Sequence, residues 1–242
     1  MKFSFIIPTL NEEKLLPSLL NQLNDAALRS RYNIEIIISD GGSTDNTIAC
    51  SCDAADYITV NHDRSTENIA SGRNRGAVSA TGDILIFINA DVLIPDPSVF
   101  LEKICSRFED ESLAALGCFV ETFPEETIWK DRIFHFWNNH YFYFVNKLGV
   151  GMSRGECQIV RRDYFDKAGG YREHLYAGED FDLYKRLNKY GKTTLCRDLI
   201  VYESPRRFRK FGYLNVVASW TKNGLYLIFK DRSLSKSWEE VR

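Results

Sequence analysis

The first half of the chain alternates between short apolar runs and amphipathic segments. Four runs rich in β-branched residues predict strands at residues 3–8, 34–39, 57–60 and 84–89. Their nearly continuous apolar character is typical of strands covered on both faces of a sheet. Leucines at positions 15, 16, 19, 20 and 23 form one stripe at helical spacing, and a further helix is predicted over residues 67–80.

The second half is less regular but continues the same alternation. Residues 113–119 and 193–202 are predicted strands, and residues 179–190 and 213–229 are predicted helices. Repetition of strand and helix predicts an α/β fold with a Rossmann-like, mostly parallel sheet flanked by helices. Because no repeat, linker or low-complexity segment interrupts it, we interpret residues 1–242 as a single domain.

Polar residues follow three of the predicted strands. Pro8, Leu10 and Glu12 lie at or after the first, Asp40 ends the second, and Asn89, Ala90 and Asp91 follow the fourth. Ligands of doubly wound sheets bind at the carboxyl ends of the strands. These residues therefore predict a binding site at that edge.

Composition limits the class of protein. Hydrophobic residues make up 44% and charged residues 26%, as in ordinary globular proteins, and a net charge of -2 gives no global attraction for nucleic acid. The six cysteines form no CxxC pair, which disfavours structural zinc and suits a reducing cytoplasm. No apolar run reaches the roughly 18 residues of a membrane-spanning helix, and the N-terminal run is too short for a signal peptide.

Asp91 is the candidate metal ligand. It emerges just beyond the apolar run 84–88, next to the small Ala90, where a carboxylate can meet Mg²⁺ or Mn²⁺. The alternative is a carboxylate that caps the following loop. For Asp40 the alternatives are a contact with a nucleoside and an Asx-turn before Gly41 and Gly42.

Two further groups of charged residues are candidates for chemistry. Glu179 and Asp180 open a predicted helix, where acidic residues either complement the helix dipole or supply a general base. The basic run 206–210 is either a solvated surface loop or a clamp for a diphosphate, in which Arg206 and Arg207 would act. Arg73, on a glycine-containing helix, is a possible phosphate or base contact.

Two segments, residues 129–147 and 206–230, place aromatic residues beside basic ones. In the first, aromatic and aliphatic side chains recur close to helical spacing (Trp129, Ile133, Phe136, Trp137 and Phe144). One interpretation packs these side chains into the core beneath the sheet, as aromatics at helical spacing usually are. The other is a peripheral, reversible contact with the inner face of a membrane, where a lipid-linked acceptor would be met.

Four segments, taken together, resemble the motifs of family-2 inverting glycosyltransferases with the GT-A fold. They are residues 6–13, residues 40–45, residues 82–91, which match the metal-binding DxD segment, and residues 178–180, which match the acceptor-side ED motif. The four occur in the family's order over about three quarters of the chain. Residues 72–76 and 204–207 look most like short bacterial-type members, and dolichol-phosphate mannose synthases are more distant relatives.

The resemblance implies a nucleotide-sugar donor, a hydroxyl acceptor and a role for each candidate residue. Residues 1–92 would form the nucleotide-binding half, residues 93–212 the acceptor-side half and residues 213–242 a C-terminal helical segment. Asp180 would be the catalytic base, with Glu179 orienting the acceptor, and Asp91 would ligate a divalent cation. The remaining residues would bind the donor (Pro8, Leu10, Glu12, Asp40, Arg73, Asn89, Ala90, Arg206 and Arg207).

One position departs from the family pattern. The first aspartate of the DxD segment is Asn89, which can hydrogen-bond a ribose hydroxyl but brings no charge. The cation is therefore expected to arrive mainly with the donor. Similar proteins often add a metal contact near Glu203, which we leave outside the predicted set.

Two other functions stay open on the sequence. A nucleotidyltransferase of nucleotide-sugar synthesis would have a glycine- and lysine-rich loop after the first strand, whereas residues 9–13 are Thr, Leu, Asn, Glu and Glu. A non-catalytic nucleotide-sugar-binding protein would not need Asp180.

Overall fold

One mixed sheet organises the chain in a computed structural model that describes residues 1–230 and 232–235. The strands found in these residues are β1 (Phe3–Thr9), β2 (Ile34–Asp40), β3 (Tyr57–Val60), β4 (Ile84–Ile88), β5 (Val92–Leu93), β6 (Leu113–Thr122), β7 (Cys157–Arg161) and β8 (Lys192–Glu203). They lie in the order β3-β2-β1-β4-β7-β6-β8-β5. The β3-β2-β1-β4 block is parallel, β7 runs antiparallel to both its neighbours, β6 and β8 are parallel, and β5 is antiparallel to β8.

Helices cover both faces of this sheet. In the described chain they are α1 (Leu16–Leu23), α2 (Ala26–Tyr32), α3 (Ile69–Ser79), α4 (Pro97–Arg107), α5 (Trp129–Lys147), α6 (Arg162–Ala168), α7 (Glu179–Leu187), α8 (Arg206–Phe211) and α9 (Tyr213–Lys230). Alternate residues of β1 enter different clusters, Phe5 with α1, α2 and α4, and Ile6 with α3, α6 and α7. The predicted α/β architecture, with a mostly parallel sheet between helices, is confirmed.

Most of the predicted elements are confirmed within two or three residues of their bounds. All six predicted strands form, and α1 begins immediately before Pro17, where a missing amide hydrogen costs nothing. Leu183, Tyr184 and Leu187 are fully buried on α7, as the apolar pattern indicates. Elements without a clear pattern went unpredicted, among them α2, α4, α6 and the antiparallel β7.

The prediction that all four strands of the first half are covered on both faces is wrong for β3. This strand is the edge of the sheet, and Tyr57 is 50% exposed there. An edge strand with one face open keeps the same β-branched composition, so the sequence does not distinguish the two cases.

Close approach between α3 and β1 depends on Gly76. A Cβ at this position would lie 2.5 Å from Cγ2 of Ile6, so that no side chain fits there without a shift of the strand or the helix. The absence of a side chain at Gly76 thus permits this close packing. It brings α3, which carries Arg73, directly onto the strands whose carboxyl ends form the site.

The interpretation of the α5 aromatics as core residues is wrong. α5 packs on β6 and β8 through a polar seam, in which the Asn139 amide exchanges two hydrogen bonds with the backbone of Val120. Asp131 and His135 are buried along the same seam. The aromatic stripe is consequently on the opposite, exposed side of the helix.

Candidate active site

The carboxyl ends of β1, β2 and β4 meet at one edge of the sheet, as the sequence predicts. Thr9 lies opposite Asp40 in the parallel register, and its hydroxyl donates to Asp40 Oδ1 at 2.9 Å. Pro8 is buried in β1, and Leu10 is partly exposed just beyond the strand. The edge thus gathers residues that lie far apart in the chain.

Asp40 organises the loop that follows β2. Its Oδ2 accepts hydrogen bonds from the backbone amides of Gly42 at 2.9 Å and Ser43 at 2.7 Å, and the Ser43 hydroxyl donates to Oδ1 at 2.5 Å. This is the turn that the sequence offered as the alternative to a nucleoside contact. A contact between Asp40 and a nucleoside stays a prediction. The nucleoside would bind a carboxylate that already accepts four hydrogen bonds from the protein.

Arg206 connects the loop after β1 with the segment after β4. Its Nη2 donates to Glu12 Oε1 at 2.6 Å and lies 3.1 Å from Asp91 Oδ2. The Asp91 carboxylate is thus engaged by a residue from α8 rather than by the neighbouring loop. Burial raises the pKa of Glu12, although Arg206 opposes the rise.

The basic run 206–210 is not a solvated loop. It forms α8, in which Arg206 faces the site and Arg209 pairs with the buried Asp131. Arg207 is partly exposed and makes no ion pair with any residue that the structure describes. It is therefore available to a ligand without breaking an existing pair.

Arg73 is a buried cation between the end of β4 and the start of α7. It is 1% exposed. Its guanidinium donates to Glu179 Oε1 at 2.9 Å, to Asn89 Oδ1 at 3.2 Å and to the Gly155 carbonyl at 2.6 Å. The guanidinium carbon also lies 5.2 Å from the centre of the Tyr171 ring. Arg73 thus holds two motif residues, Asn89 and Glu179, by hydrogen bonds. A direct contact between Arg73 and a nucleotide stays a prediction.

Asp180 occupies the first turn of α7, next to Glu179. Its Oδ1 accepts from the Phe181 amide at 2.8 Å. A Cβ at Gly155 would come within 3.2 Å of both Asp180 Oδ2 and Arg73 Nη2, so glycine keeps open the space beside this oxygen. Burial and the charge of Glu179 raise the pKa of Asp180 to about 7, against the opposing charge of Arg73. A carboxylate with this pKa is matched to general-base chemistry near neutral pH.

A second buried charge cluster lies behind Asp91. Arg154 Nη2 donates to Glu156 Oε1 at 2.7 Å and to Glu203 Oε1 at 2.6 Å. Glu203 pairs with Val92 between β8 and β5, and the Ser204 amide donates to the Asp91 carbonyl at 3.2 Å. The cluster therefore supports the backbone of the candidate metal ligand.

One arginine in this cluster cannot neutralise two carboxylates. Burial and Glu156 raise the pKa of Glu203 to about 8, whereas Arg154 holds the pKa of Glu156 low despite its burial. Burial and Arg154 lower the pKa of His135 to about 3. Its neutral ring accepts from Arg154 through Nδ1 at 3.1 Å and donates to the Thr122 hydroxyl through Nε2 at 3.0 Å.

Sequence reasoning missed most of this cluster. No motif or spacing in the sequence distinguishes His135, Arg154 or Glu156 from other polar residues. The available signal was the alternation of charge around Gly155, directly before an apolar strand. It is weak, because charged residues commonly precede strands.

The residues present fit a divalent cation that arrives with its ligand. In residues 1–230 and 232–235 no three His, Cys, Asp or Glu side chains converge as a preformed metal cage. Asp91 offers one partly exposed carboxylate, and oxygen ligands suit Mg²⁺ and Mn²⁺. Such cations are commonly held by one or two carboxylates together with substrate phosphates.

The sheet with this edge defines a GT-A type fold, and the sequence places the chain in a family. The family model described as glycosyl transferase family 2 matches residues 4–169, more than half of the chain. The protein belongs to this family, and the suspected resemblance is confirmed.

Individual relatives support the same assignment. The chain is 27% identical to the O-antigen biosynthesis protein RfbC of Myxococcus xanthus, over 85% of this chain and 18% of the relative. It is 24% identical to the O-antigen chain rhamnosyltransferase RfbN of Salmonella typhimurium, over 91% of this chain and 74% of the relative. The mannosyltransferase PcManGT of Pyrobaculum calidifontis, solved with GDP-Man and Mn²⁺, superposes with a TM-score of 0.67 at 20% identity, covering 84% of this chain and 56% of that one. The chain thus spans under a fifth of the first relative and little more than half of this structure.

Proposed function

We propose that the protein transfers a sugar from a nucleoside-diphosphate sugar to an acceptor hydroxyl, with inversion at the anomeric carbon. The observation that carries this proposal is the Arg73 bridge, which ties Asn89 at the donor edge to Glu179, next to Asp180. It joins the two motifs that a sugar transfer needs, one for the leaving nucleotide and one for the attacking hydroxyl.

Asp180 acts as the general base. Its ionised carboxylate takes the proton of the acceptor hydroxyl while that oxygen forms a bond to the anomeric carbon. The bond from this carbon to the diphosphate oxygen breaks with its electron pair, and attack from the opposite face inverts the configuration. Glu179, held by its ion pair with Arg73, orients the acceptor.

The leaving diphosphate is stabilised at the other side of the site. A divalent cation on Asp91 would neutralise charge that develops on the phosphate oxygens. Arg206 exchanges its contacts with Glu12 and Asp91 for the diphosphate, and the unpaired Arg207 joins it. Both arginines lie on α8, so a small movement of this short helix closes the site.

The other edge residues bind the nucleoside and the sugar. Pro8, Leu10 and Glu12 line the nucleotide, Asp40 lies at the base or ribose, and Asn89 and Ala90 face the ribose and sugar. Arg73 positions Asn89 and Glu179 at the nucleotide end.

The acceptor we propose is a saccharide of the kind assembled in O-antigen biosynthesis, by likeness to the relatives of that name. We also propose that it is lipid-linked and met at the cytoplasmic face of a membrane. In the described part of the chain, no helix combines the length and apolar character needed to cross a bilayer.

A two-stage experiment tests the function. A panel of UDP-, GDP- and dTDP-hexoses is screened for a rise in melting temperature with and without Mn²⁺, since a ligand of the native state stabilises it by mass action. The selected donor is then assayed for release of its nucleoside diphosphate. Stabilisation with release supports a transferase, stabilisation without release a binding protein, and release of pyrophosphate from nucleoside triphosphate and sugar phosphate a nucleotidyltransferase.

A further inference from the structure

One side of α5 presents a stripe of large apolar side chains to solvent. Its members are between 51% and 69% exposed (Trp129, Ile133, Phe136, Trp137 and Phe144). Their spacings of four, three, one and seven residues place them on one side of a helix of 19 residues, which is about 28 Å long. We call these five residues the α5 stripe. Isolated exposed apolar residues are common on monomers, whereas a contiguous row of this length marks an interaction surface.

The charges around the α5 stripe are mostly positive, although the exposed Glu125 and Glu126 lie just before Trp129. Residues 127–150 and 206–230 together carry nine basic residues and one acidic residue, a net charge of +8 in a chain whose total is -2. The acidic residue, Asp131, is buried and paired with Arg209. Lys130 and Lys147 flank the two ends of the α5 stripe and are exposed. No exposed carboxylate in these two segments therefore offsets the basic charge.

α9 continues this surface and joins it to the active site. Phe134 of α5 contacts Tyr213 and Trp220, with ring centres 5.5 and 6.1 Å apart. On its outer side α9 exposes Leu214 and Phe229. On its inner side Leu227 lies against Gly178, the residue before the Glu179–Asp180 pair.

We propose that the α5 stripe and its basic flanks dock this protein onto the surface of an anionic lipid bilayer. Tryptophan and phenylalanine bury their rings at the level of the headgroups, and lysines at the edges reach anionic phosphates. Contact with a second copy through the same face is disfavoured, because it would bring together two surfaces on which basic residues outnumber acidic ones. This inference concerns where the protein binds, and it stands whether or not the proposed transfer reaction is correct.

Vesicle binding tests the proposal. The whole chain is sedimented with vesicles of phosphatidylcholine alone and with vesicles that contain about one third phosphatidylglycerol, at about 50 mM and 500 mM salt. We expect binding to the anionic vesicles at low salt, at least about tenfold weaker binding at high salt, and little binding to neutral vesicles. Tryptophan emission is expected to shift to the blue on binding, since Trp129 and Trp137 enter the interface.

Two pairs of variants separate the stripe from general surface effects. Trp137→Ser/Phe144→Ser removes two stripe residues, and Val78→Ser/Tyr190→Ser removes two exposed apolar residues from other surfaces. Lys130→Glu/Lys147→Glu reverses the flanking charges, and Lys185→Glu/Lys189→Glu reverses two exposed lysines on and after α7. We expect each α5 variant to weaken vesicle binding at least about tenfold and each matched control to change it less than about twofold.

Three outcomes would overturn the proposal. They are no sedimentation of the wild type with anionic vesicles at low salt, equal losses in the α5 variants and their controls, and a dimer in light scattering that the stripe substitutions dissociate. The last result would assign the face to a second copy of the chain. Unchanged melting temperature and donor release in the α5 variants would show that lost vesicle binding does not come from unfolding.

Discussion

Arg73 donates to Glu179 at 2.9 Å across 106 residues of sequence, inside a region where both side chains are buried. The same guanidinium holds Asn89 and the Gly155 carbonyl. The hydrogen bonds of Arg73 therefore connect α3 with the end of β4 and the start of α7, at the point where donor and acceptor would meet. They also place a positive charge close to Asp180, which that charge helps to keep ionised.

We predict that Arg73→Met lowers both stability and turnover in a pH-dependent way. Removing one partner of a buried pair typically costs about 3–5 kcal/mol, because the other charge is left buried and unpaired. Without the guanidinium the pKa of Asp180 rises further, so the acid limb of the turnover profile should move to higher pH. Denaturant unfolding and a pH profile of nucleoside diphosphate release measure the two effects.

Arg75→Met is the matched control for this variant. Arg75 lies two residues along the same helix and pairs with Glu67 at 2.8 Å rather than with Glu179. It should also lose stability but leave the midpoint of the pH profile in place. If both variants shift the profile equally, or if Arg73→Lys and Arg73→Met behave alike, Arg73 does not act through its contact with Glu179 and Asp180.

Asp91→Ala is expected to remove metal-dependent nucleotide binding while the fold survives. The reason is that Asp91 offers a partly exposed carboxylate to a cation at the end of β4 once Arg206 moves away. Calorimetry of nucleoside diphosphate with and without Mn²⁺ measures the loss. Asp96→Ala, which removes an α4 cap that binds the Val99 amide at 3.0 Å, controls for nonspecific destabilisation. Retention of the Mn²⁺ effect in Asp91→Ala would take this residue out of the site.

Arg206→Gln should have opposite effects on the free cation and on the nucleotide. Arg206 competes with a cation for Asp91, so its removal should strengthen binding of Mn²⁺ alone by about two- to fivefold, the range of a partly exposed ion pair. Binding of the Mn²⁺–nucleotide complex should weaken, since the diphosphate loses a cationic partner. Titration of Mn²⁺ by electron paramagnetic resonance reports the free ion. Arg207→Gln, which has no pair with Asp91 to break, should not strengthen binding of Mn²⁺ alone, and equal gains in both variants would contradict the competition.

Stability is expected to fall as the pH rises from about 4 to 8, between the unfolded and folded pKa values of two buried carboxyl groups. The folded pKa values of Glu203 and Asp180 lie near 8 and 7, above the ordinary 4.5 and 3.8. A group with a raised folded pKa stabilises fully below its unfolded pKa, and that contribution disappears as the pH passes through the folded value. Each such proton contributes a slope of up to about 1.4 kcal/mol per pH unit.

Glu203→Gln should flatten this decline, because the amide cannot ionise. Glu121→Gln, at an exposed position of β6, should keep the wild-type slope. Thermal unfolding over the pH range gives the comparison. Equal slopes in Glu203→Gln and the wild type would mean that Glu203 is already ionised against Arg154 in the native protein, whereas the absence of any decline would contradict the raised pKa values of both Glu203 and Asp180.

The sequence predicts some structural features of this protein better than others, depending on the residue pattern that indicates them. Continuous apolar runs identify β1, β2 and β4 almost to the residue, because burial on both faces permits little else. The turn after β2 was available as an alternative, since an aspartate before two glycines offers its carboxylate to the amides that follow. The exposure of Trp137 was not predictable, because helical spacing identifies a stripe without identifying the direction in which it faces.

The part of the site that the sequence does not reveal consists of contacts between side chains that are far apart in the chain. Arg206 lies 194 residues from Glu12, and nothing local indicates that the two side chains meet. Arg154 and His135 come together only because β7 enters the sheet antiparallel between β4 and β6. The motif residues can be identified by resemblance to the family. The charged residues that pair with them and shift their pKa values can be identified only from the topology of the fold.

In the proposed reaction Asp180 removes the acceptor proton, and a pair of measurements on one variant tests this role. Donor affinity by calorimetry and nucleoside diphosphate release are measured for the wild type and for Asp180→Asn with the donor selected by the panel. We expect affinity to stay within about twofold and turnover to fall roughly 10²–10⁴-fold, the usual contribution of general acid–base catalysis. Turnover close to that of the wild type, with donor bound normally, would contradict the account and leave Asp180 as a helix-dipole residue at the start of α7.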